Sequence, residues 1–168
     1  MGLFGVARVK RLEVESIWRT LNLLEHDPQS GERRREPPYD MVKEMEDLFD
    51  GADRDLIVPR RSASISSLQA LFFMNSEHVK RSTEKLAARL HRLPEDLARI
   101  RQVHRLLYGR EASKADVAAG EAFLKEWKID ASSLQKSRNK NAPPPEILAR
   151  WQAYLQALLA TNEFLFIY

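Results

Sequence analysis

Ile147-Leu-Ala-Arg-Trp-Gln-Ala-Tyr-Leu-Gln-Ala-Leu-Leu159 is the stretch that decides the fold. Its large apolar residues, Ile147, Trp151, Tyr154, Leu155, Leu158 and Leu159, recur every three or four positions. That is the period of one face of an α-helix, and it predicts a helix with a broad buried stripe. Pro143, Pro144 and Pro145 precede it. After the helix, Phe164-Leu-Phe-Ile-Tyr168 is apolar but too short to stand alone. It is expected to tuck into the core or to pair as a strand.

The same period recurs upstream. Val14, Ile17, Leu21 and Leu24 predict a first helix, ended by the breaker run His26-Asp-Pro-Gln-Ser-Gly31. Residues 32–38 are charged, end in two prolines and read as a linker. Met41, Val42, Met45, Leu48 and Phe49 predict a short helix with Asp40 as its N-cap, stopped at Asp50-Gly51. Ser66-Ser-Leu-Gln69 has the spacing of a capping box, so a helix is expected to start there and run through Phe72, with a break or a new cap at Asn75-Ser76. Val79, Leu86, Leu90 and Leu93 share the face of the next helix. Pro94 suits the first turn of another, which presents Leu97, Ile100, Val103 and Leu107 and stops at Gly109. Ser113-Lys-Ala-Asp116 is a second capping-box start, for a helix packing Val117, Phe123, Leu124 and Trp127, with Gly120 allowing a close crossing. Residues 130–145 read as a long polar loop. No strand-period alternation of useful length and no internal repeat is present. The fold class expected is therefore all-α: an irregular bundle of about five or six helices with a short apolar C-terminal tail. Residues 1–38 are expected to form an N-terminal helix and linker, loosely attached, and residues 39–168 the helical domain.

Composition narrows the chemistry. Of 168 residues, 43% are hydrophobic and 30% charged, enough for a core and a solvated surface. There is no cysteine, which excludes a disulfide framework, a thiolate zinc site, covalent haem attachment and a cysteine nucleophile. No apolar run approaches the roughly 20 residues that span a bilayer. The N-terminus is too short and too soon charged for a secretory signal, so the chain reads as cytoplasmic as it stands. The net charge of +3 is uneven: −5 over residues 39–55 and +6 over residues 56–113.

Each candidate for chemistry has a plainer explanation that fits better. His26, His78, His91 and His104 lack the i, i+3 or i+4 spacing of a helical metal site and read as surface or structural histidines. Asp50, Asp53 and Asp55 with Gly51 could suggest calcium, but the order of ligands is wrong and no glutamate closes the site. Glu44, Glu46, Asp47 and Asp50 could supply paired carboxylates, yet nothing suggests a cleft or a shifted pKa. Ser62, Ser64, Ser66 and Ser67 sit in neither a G-x-S-x-G nor a Ser-x-x-Lys context and read as turn and cap residues. Trp127, Trp151, Phe123 and Tyr154 fall at core spacing. Lys80, Arg81, Lys85, Arg89, Arg92, Arg99, Arg101 and Arg105 form a basic set interrupted by acids and without stacking aromatics, so solvated faces are favoured over a nucleic-acid surface. Arg60 and Arg61 are expected to pair with the acidic segment rather than with an external anion. No catalytic, cofactor or metal site is expected.

Several pieces carry a resemblance. Phe49-Asp50, Arg60-Arg61-Ser62, Ser67-Leu-Gln-Ala-Leu71 with Asn75, Tyr108-Gly-Arg110 with Glu111, and Trp151 with Leu155–Leu159 and Asn162-Glu-Phe-Leu165 appear in this order. Together they resemble a C-terminal domain of unknown function of large planctomycete and verrucomicrobial proteins, over about residues 36–168. Arg11-Leu-Glu-Val-Glu-Ser-Ile17 resembles an element upstream of it. Ser67 stands where the family usually has proline, and the chain departs from the pattern between Trp18 and Ser30. The resemblance implies a shortened copy of a domain whose full-length relatives look exported and often carry planctomycete-type cytochrome c domains. It implies a non-catalytic structural or protein-interaction module, whose partner would be another protein domain, the missing upstream half, with self-association as a second outcome. Arg60, Arg61, Asp50 and Asn75 are its expected ion-pair or partner contacts. The alternative is polyanion or nucleic-acid binding through the basic helices at 78–110.

Overall fold

The computed structural model describes residues 10–29, 31, 43, 45, 48–49, 67–128 and 143–167. The first described elements are a two-residue strand, β1 (Lys10–Arg11), and α1 (Val14–Glu25). Then come α2 (Ser67–Asn75), α3 (Glu77–Leu90), α4 (Asp96–Tyr108), α5 (Lys114–Glu126) and α6 (Pro145–Leu159). A single turn, α7 (Asn162–Leu165), leads into a second two-residue strand, β2 (Phe166–Ile167). Lys43, Met45 and Leu48 are also helical, and the Phe49 N–H closes a turn on the Met45 carbonyl at 2.9 Å. The fold is all-α.

Local chemistry sets the helix ends. Gly109 ends α4 at φ 66, a left-handed conformation that a side chain would strain. Ser113 and Asp116 form the expected capping box at the start of α5: each side chain accepts from the other residue's backbone N–H. Pro145 opens α6 after Pro144 as the N-cap. Thr161 caps α7 by accepting from the Phe164 N–H at 3.3 Å. One boundary differs from the sequence reading. α4 starts at Asp96 with Glu95 as N-cap, so Pro94 precedes the first turn instead of lying in it. Gln69 is buried, and its amide donates to the Leu48 carbonyl at 3.0 Å; Ser66, its expected capping partner, lies outside the described residues.

α3 and α6 pack side by side, α1 covers α3, and α5 bridges α4 and α6. Ile17, Leu21, Val79, Leu86, Ile100, Val103, Leu155 and Leu159 have no exposed surface. Each such aliphatic side chain contributes about 1.5–3 kcal/mol of hydrophobic free energy. Phe49, Phe72, Phe73 and Phe164 meet edge to face with centroids 5.6–5.9 Å apart. Gln156 reaches from α6 to the Phe73 and Met74 carbonyls at the end of α2, at 3.3 and 3.2 Å. These carbonyls have no helical partner, so the amide satisfies groups that burial would otherwise penalise.

The C-terminal tail takes both courses open to it. Phe164 and Leu165 enter the core, and Phe166–Ile167 pairs antiparallel with β1, Arg11 opposite Phe166. The N-terminal helix is packed, not loosely hung: Val14, Ile17, Leu21 and Leu24 belong to the same buried cluster as α3 and α6. The division at residue 38 lies outside the described residues.

Candidate functional site

Three polar or partly open regions stand on this frame. The first joins the end of α4, the start of α5 and α7. Arg110 follows the Gly109 stop and makes a two-pronged ion pair with Glu163: its Nε bonds one carboxylate oxygen, and its Nη2 the other at 2.8 Å. Its Nη1 donates to Asp116 Oδ2 at 2.6 Å and to the Glu111 carbonyl at 2.9 Å. The guanidinium also lies 5.6 Å from the centroid of the Tyr108 ring. The Tyr108 hydroxyl donates to the Leu158 carbonyl at 3.1 Å and meets Thr161 Oγ1 at the same distance. The Arg110 hydrogen bond holds the Glu163 and Asp116 carboxyls below their ordinary range, and those two carboxylates raise Arg110 in turn. Burial pushes the Tyr108 hydroxyl up, and pushes neighbouring Tyr154 up to about 12. His104 is buried beside them, with Nδ1 2.9 Å from the Ile100 carbonyl and Nε2 3.9 Å from Asp116.

This constellation holds an acid, a base and a hydroxyl, yet each group is committed to another within the fold. Arg110 satisfies both carboxylates, Asp116 caps α5, and Tyr108 ties α4 to the end of α6. Such an arrangement joins helix ends; it presents no acid–base pair to a substrate. Gly120 completes the junction from below. A Cβ there would lie 2.7 Å from Tyr154 Oη and 3.0 Å from Ile100 Cδ1, which is the close crossing expected of it.

The second region is the seam of α1 and α3. Glu25 closes α1 and takes Arg81 and Lys85 on one oxygen, both at 3.0 Å. Burial opposes its charge, but the Lys85 hydrogen bond and the Arg81 and Lys85 charges bring its pKa below the ordinary value. His78 lies 4% exposed in the seam, its Nδ1 3.2 Å from Arg81 and 3.9 Å from Glu25. Burial lowers its pKa, partly offset by Glu25. Its Nε2 makes no hydrogen bond among the described residues.

The third region is an open groove of about 740 Å³ between the end of α1, the end of α3 and the middle of α4. Leu24 and Leu90 are buried in its floor, while Leu23 and Leu106 stand at its walls, 47% and 39% exposed. At one end Arg89 Nη1 donates to the His26 carbonyl at 2.6 Å, and Arg92 Nη2 to Asp27 Oδ2 at 2.6 Å.

Of the basic set, Arg81, Lys85, Arg92, Arg101 and Arg105 are exposed, and four of these are paired at the surface. Arg81 and Lys85 hold Glu25, Arg92 holds Asp27, and Arg105 holds Glu111. Arg99 is buried, bonded to Asp96 and the Leu93 carbonyl. Of the expected contacts, Asn75 ends α2 with its side chain exposed. Arg60, Arg61 and Asp50 lie outside the described residues, as do Glu44, Glu46, Asp47, Asp53, Asp55 and Ser62–Ser66. Of the histidines, His78 and His104 are buried in the fold. Among the described residues no group of three or more His, Asp or Glu is placed to hold a metal ion, and no helix is long and apolar enough to cross a membrane. Sequence reasoning missed the Arg110–Glu163 pair. Its signal lay in two motif pieces, Tyr108-Gly-Arg110 and Asn162-Glu-Phe-Leu165, which carry opposite charges and meet in space.

No curated protein and no solved structure matches the chain. The family model named PSD1, described as protein of unknown function (DUF1553), matches residues 32–124. That span is more than half of the 168 residues and takes in the Gly109–Asp116 junction and the basic helices. The chain thus belongs to the PSD1 family of proteins of unknown function (DUF1553).

Proposed function

We propose that the chain is a non-catalytic helical module that supports or docks against a neighbouring domain, in a larger extracytoplasmic protein of the planctomycete type. One observation carries the reading. The strongest polar constellation, around Arg110, is closed on itself, whereas large apolar side chains remain at the surface. Leu23, Leu71, Met74 and Leu106 are exposed. Two of them, Leu23 and Leu106, line the groove, and exposed apolar surface beside a groove is what a docking module offers a partner. The origin and the setting rest on the resemblance of the quoted motifs.

The test is sedimentation velocity together with binding of a hydrophobic dye. The expected outcome is concentration-dependent association and dye fluorescence. A clean monomer without dye binding overturns the reading.

A further inference from the structure

We propose that the groove between α1 and α4 is the docking site for an acidic amphipathic helix of a partner protein. The inference rests on the reading above as an interaction module and names its surface.

The shape argues first. Buried Leu24 and Leu90 give the groove an apolar floor, and exposed Leu23 and Leu106 line it from two helices. A helix laid in such a groove would present apolar residues at i, i+3 or i+4 and i+7 to the floor and walls. A small apolar ligand on the floor would leave the outer parts of Leu23 and Leu106 in water; a helix, about 10 Å wide, would cover both.

Charge chooses the kind of helix. The groove's lining holds two guanidiniums, Arg89 and Arg92, and one carboxylate, Asp27. Arg92 and Asp27 neutralise each other at 2.6 Å. Arg89 is half-buried; its hydrogen bond goes to a carbonyl, and the one lining carboxylate that acts on it, Asp27, is shared with Arg92, so the lining keeps one positive charge in excess. Glu25, the next acid along the chain, is engaged by Arg81 and Lys85. Arg19 is exposed one turn before Leu23 and adds positive charge beside the same wall. A carboxylate near one end of an incoming helix would supply Arg89 with a planar, two-oxygen acceptor. A basic helix would meet like charge, and a second copy of this groove would bring further guanidiniums to it.

The probes are two helical peptides of about 14 residues, four turns long. Both carry leucines at i, i+3 and i+7; one has glutamates on the remaining face, the other lysines. Binding to the whole chain is followed by fluorescence polarisation. The expected result is saturable binding of the glutamate peptide, roughly tenfold tighter than the lysine peptide. Leu23→Glu and Leu106→Glu are each expected to weaken it roughly tenfold or more. Both wild-type side chains are exposed, so these variants keep the fold, which circular dichroism checks. No saturable binding, equal binding of the two peptides, or indifference to both substitutions overturns the assignment. So does a wild-type dimer that Leu23→Glu dissociates, which would make a second copy the occupant, and so does binding of dodecanoate in place of the peptide. Sedimentation and dye binding separate the two levels. If the wild type associates and binds dye but takes up neither peptide, the module reading stands and the groove falls. If the wild type shows neither association nor dye binding, the module reading itself fails.

Discussion

Two regions of this bundle, a closed end at the α4–α5–α7 junction and an open end at the α1–α4 groove, use the same chemistry in opposite proportions. At the α4–α5–α7 junction one guanidinium, Arg110, faces two carboxylates, Glu163 and Asp116, and satisfies both. At the α1–α4 groove two guanidiniums, Arg89 and Arg92, face one carboxylate, Asp27. The first end is a closed knot that joins elements distant in sequence. The second leaves a half-buried cation and two exposed leucines beside a groove. The lesson concerns where function should be sought. The richest cluster of titratable side chains is the less promising place, because its groups satisfy one another. The poorer cluster leaves something for a partner to complete.

The closed end should be the more sensitive to a change in shape. Gly120→Val puts branched carbon where even a Cβ would sit 2.7 Å from Tyr154 Oη. Tyr154 is held in the core against Trp151 and Phe123, so relief requires α5 to move. The expected loss is about 2–4 kcal/mol, at or above the upper end for overpacking, read as a fall in the urea midpoint. A loss under about 0.5 kcal/mol would mean that the crossing is slack and the junction is not close-packed.

Arg110→Ala comes next. It leaves Glu163 and Asp116 as neighbouring carboxylates without their shared cation. The site is over a third exposed, so water screens the loss; about 1 kcal/mol is expected at neutral pH. The acid limb of stability should change as well. Glu163 and Asp116 sit below their ordinary values in the folded state, 4.5 and 3.8 respectively. A depressed carboxyl contributes stability above its unfolded pKa and loses it as pH falls towards the folded one. The wild type should therefore lose stability as pH drops below about 4.5, and Arg110→Ala should lose less over that range. Parallel acid limbs in the two proteins would show that the clamp is not what depresses these groups.

The α1–α3 seam should respond at milder pH. Burial lowers the pKa of His78 from its ordinary 6.5, so the unfolded chain takes up its proton first as pH falls. Stability contributed by the neutral ring is complete above pH 6.5 and declines below it, towards the folded pKa. His78→Leu removes this titration. Its urea midpoint should change less than the wild type's between pH 7 and pH 5.5, a span on either side of the ordinary histidine value. An unchanged slope would place the pH response elsewhere than at His78.

Much of this frame was legible in the sequence, and for local reasons. Helix faces at 14–24, 79–90, 97–107 and 147–159 follow from apolar spacing alone, and the Gly109 stop and the Ser113–Asp116 capping box from the chemistry of chain ends. Gly120 was readable because a glycine inside a helical stretch asks for a packing reason. What could not be read was the pairing of residues far apart. Arg110 and Glu163 are 53 positions apart, Lys85 and Glu25 are 60, and no periodicity links them. The ion pairs of the basic set were hidden for the same reason: its carboxylate partners lie on the distant α1 and on short turns. The groove was invisible as well, since the spacing of Leu23 and Leu106 gives no hint that the two helices flank a common floor.

The smallest effect on stability is expected where the effect on binding is largest. Leu23→Glu and Leu106→Glu alter side chains 47% and 39% exposed, outside the buried cluster. Each should shift stability by no more than about 0.5 kcal/mol, as surface substitutions generally do. Leu106→Glu adds a carboxylate one residue from Arg105, which already pairs with Glu111, so any gain there is small. Dye fluorescence should nevertheless fall in both variants, because the dye follows exposed apolar surface and not the core. If either variant unfolds at a midpoint well below the wild type's, its leucine supports the fold, and the open end would then be a second closed one. If stability holds and dye binding drops, Leu23 and Leu106 are apolar surface that the fold does not need, which is the condition the proposed docking groove requires.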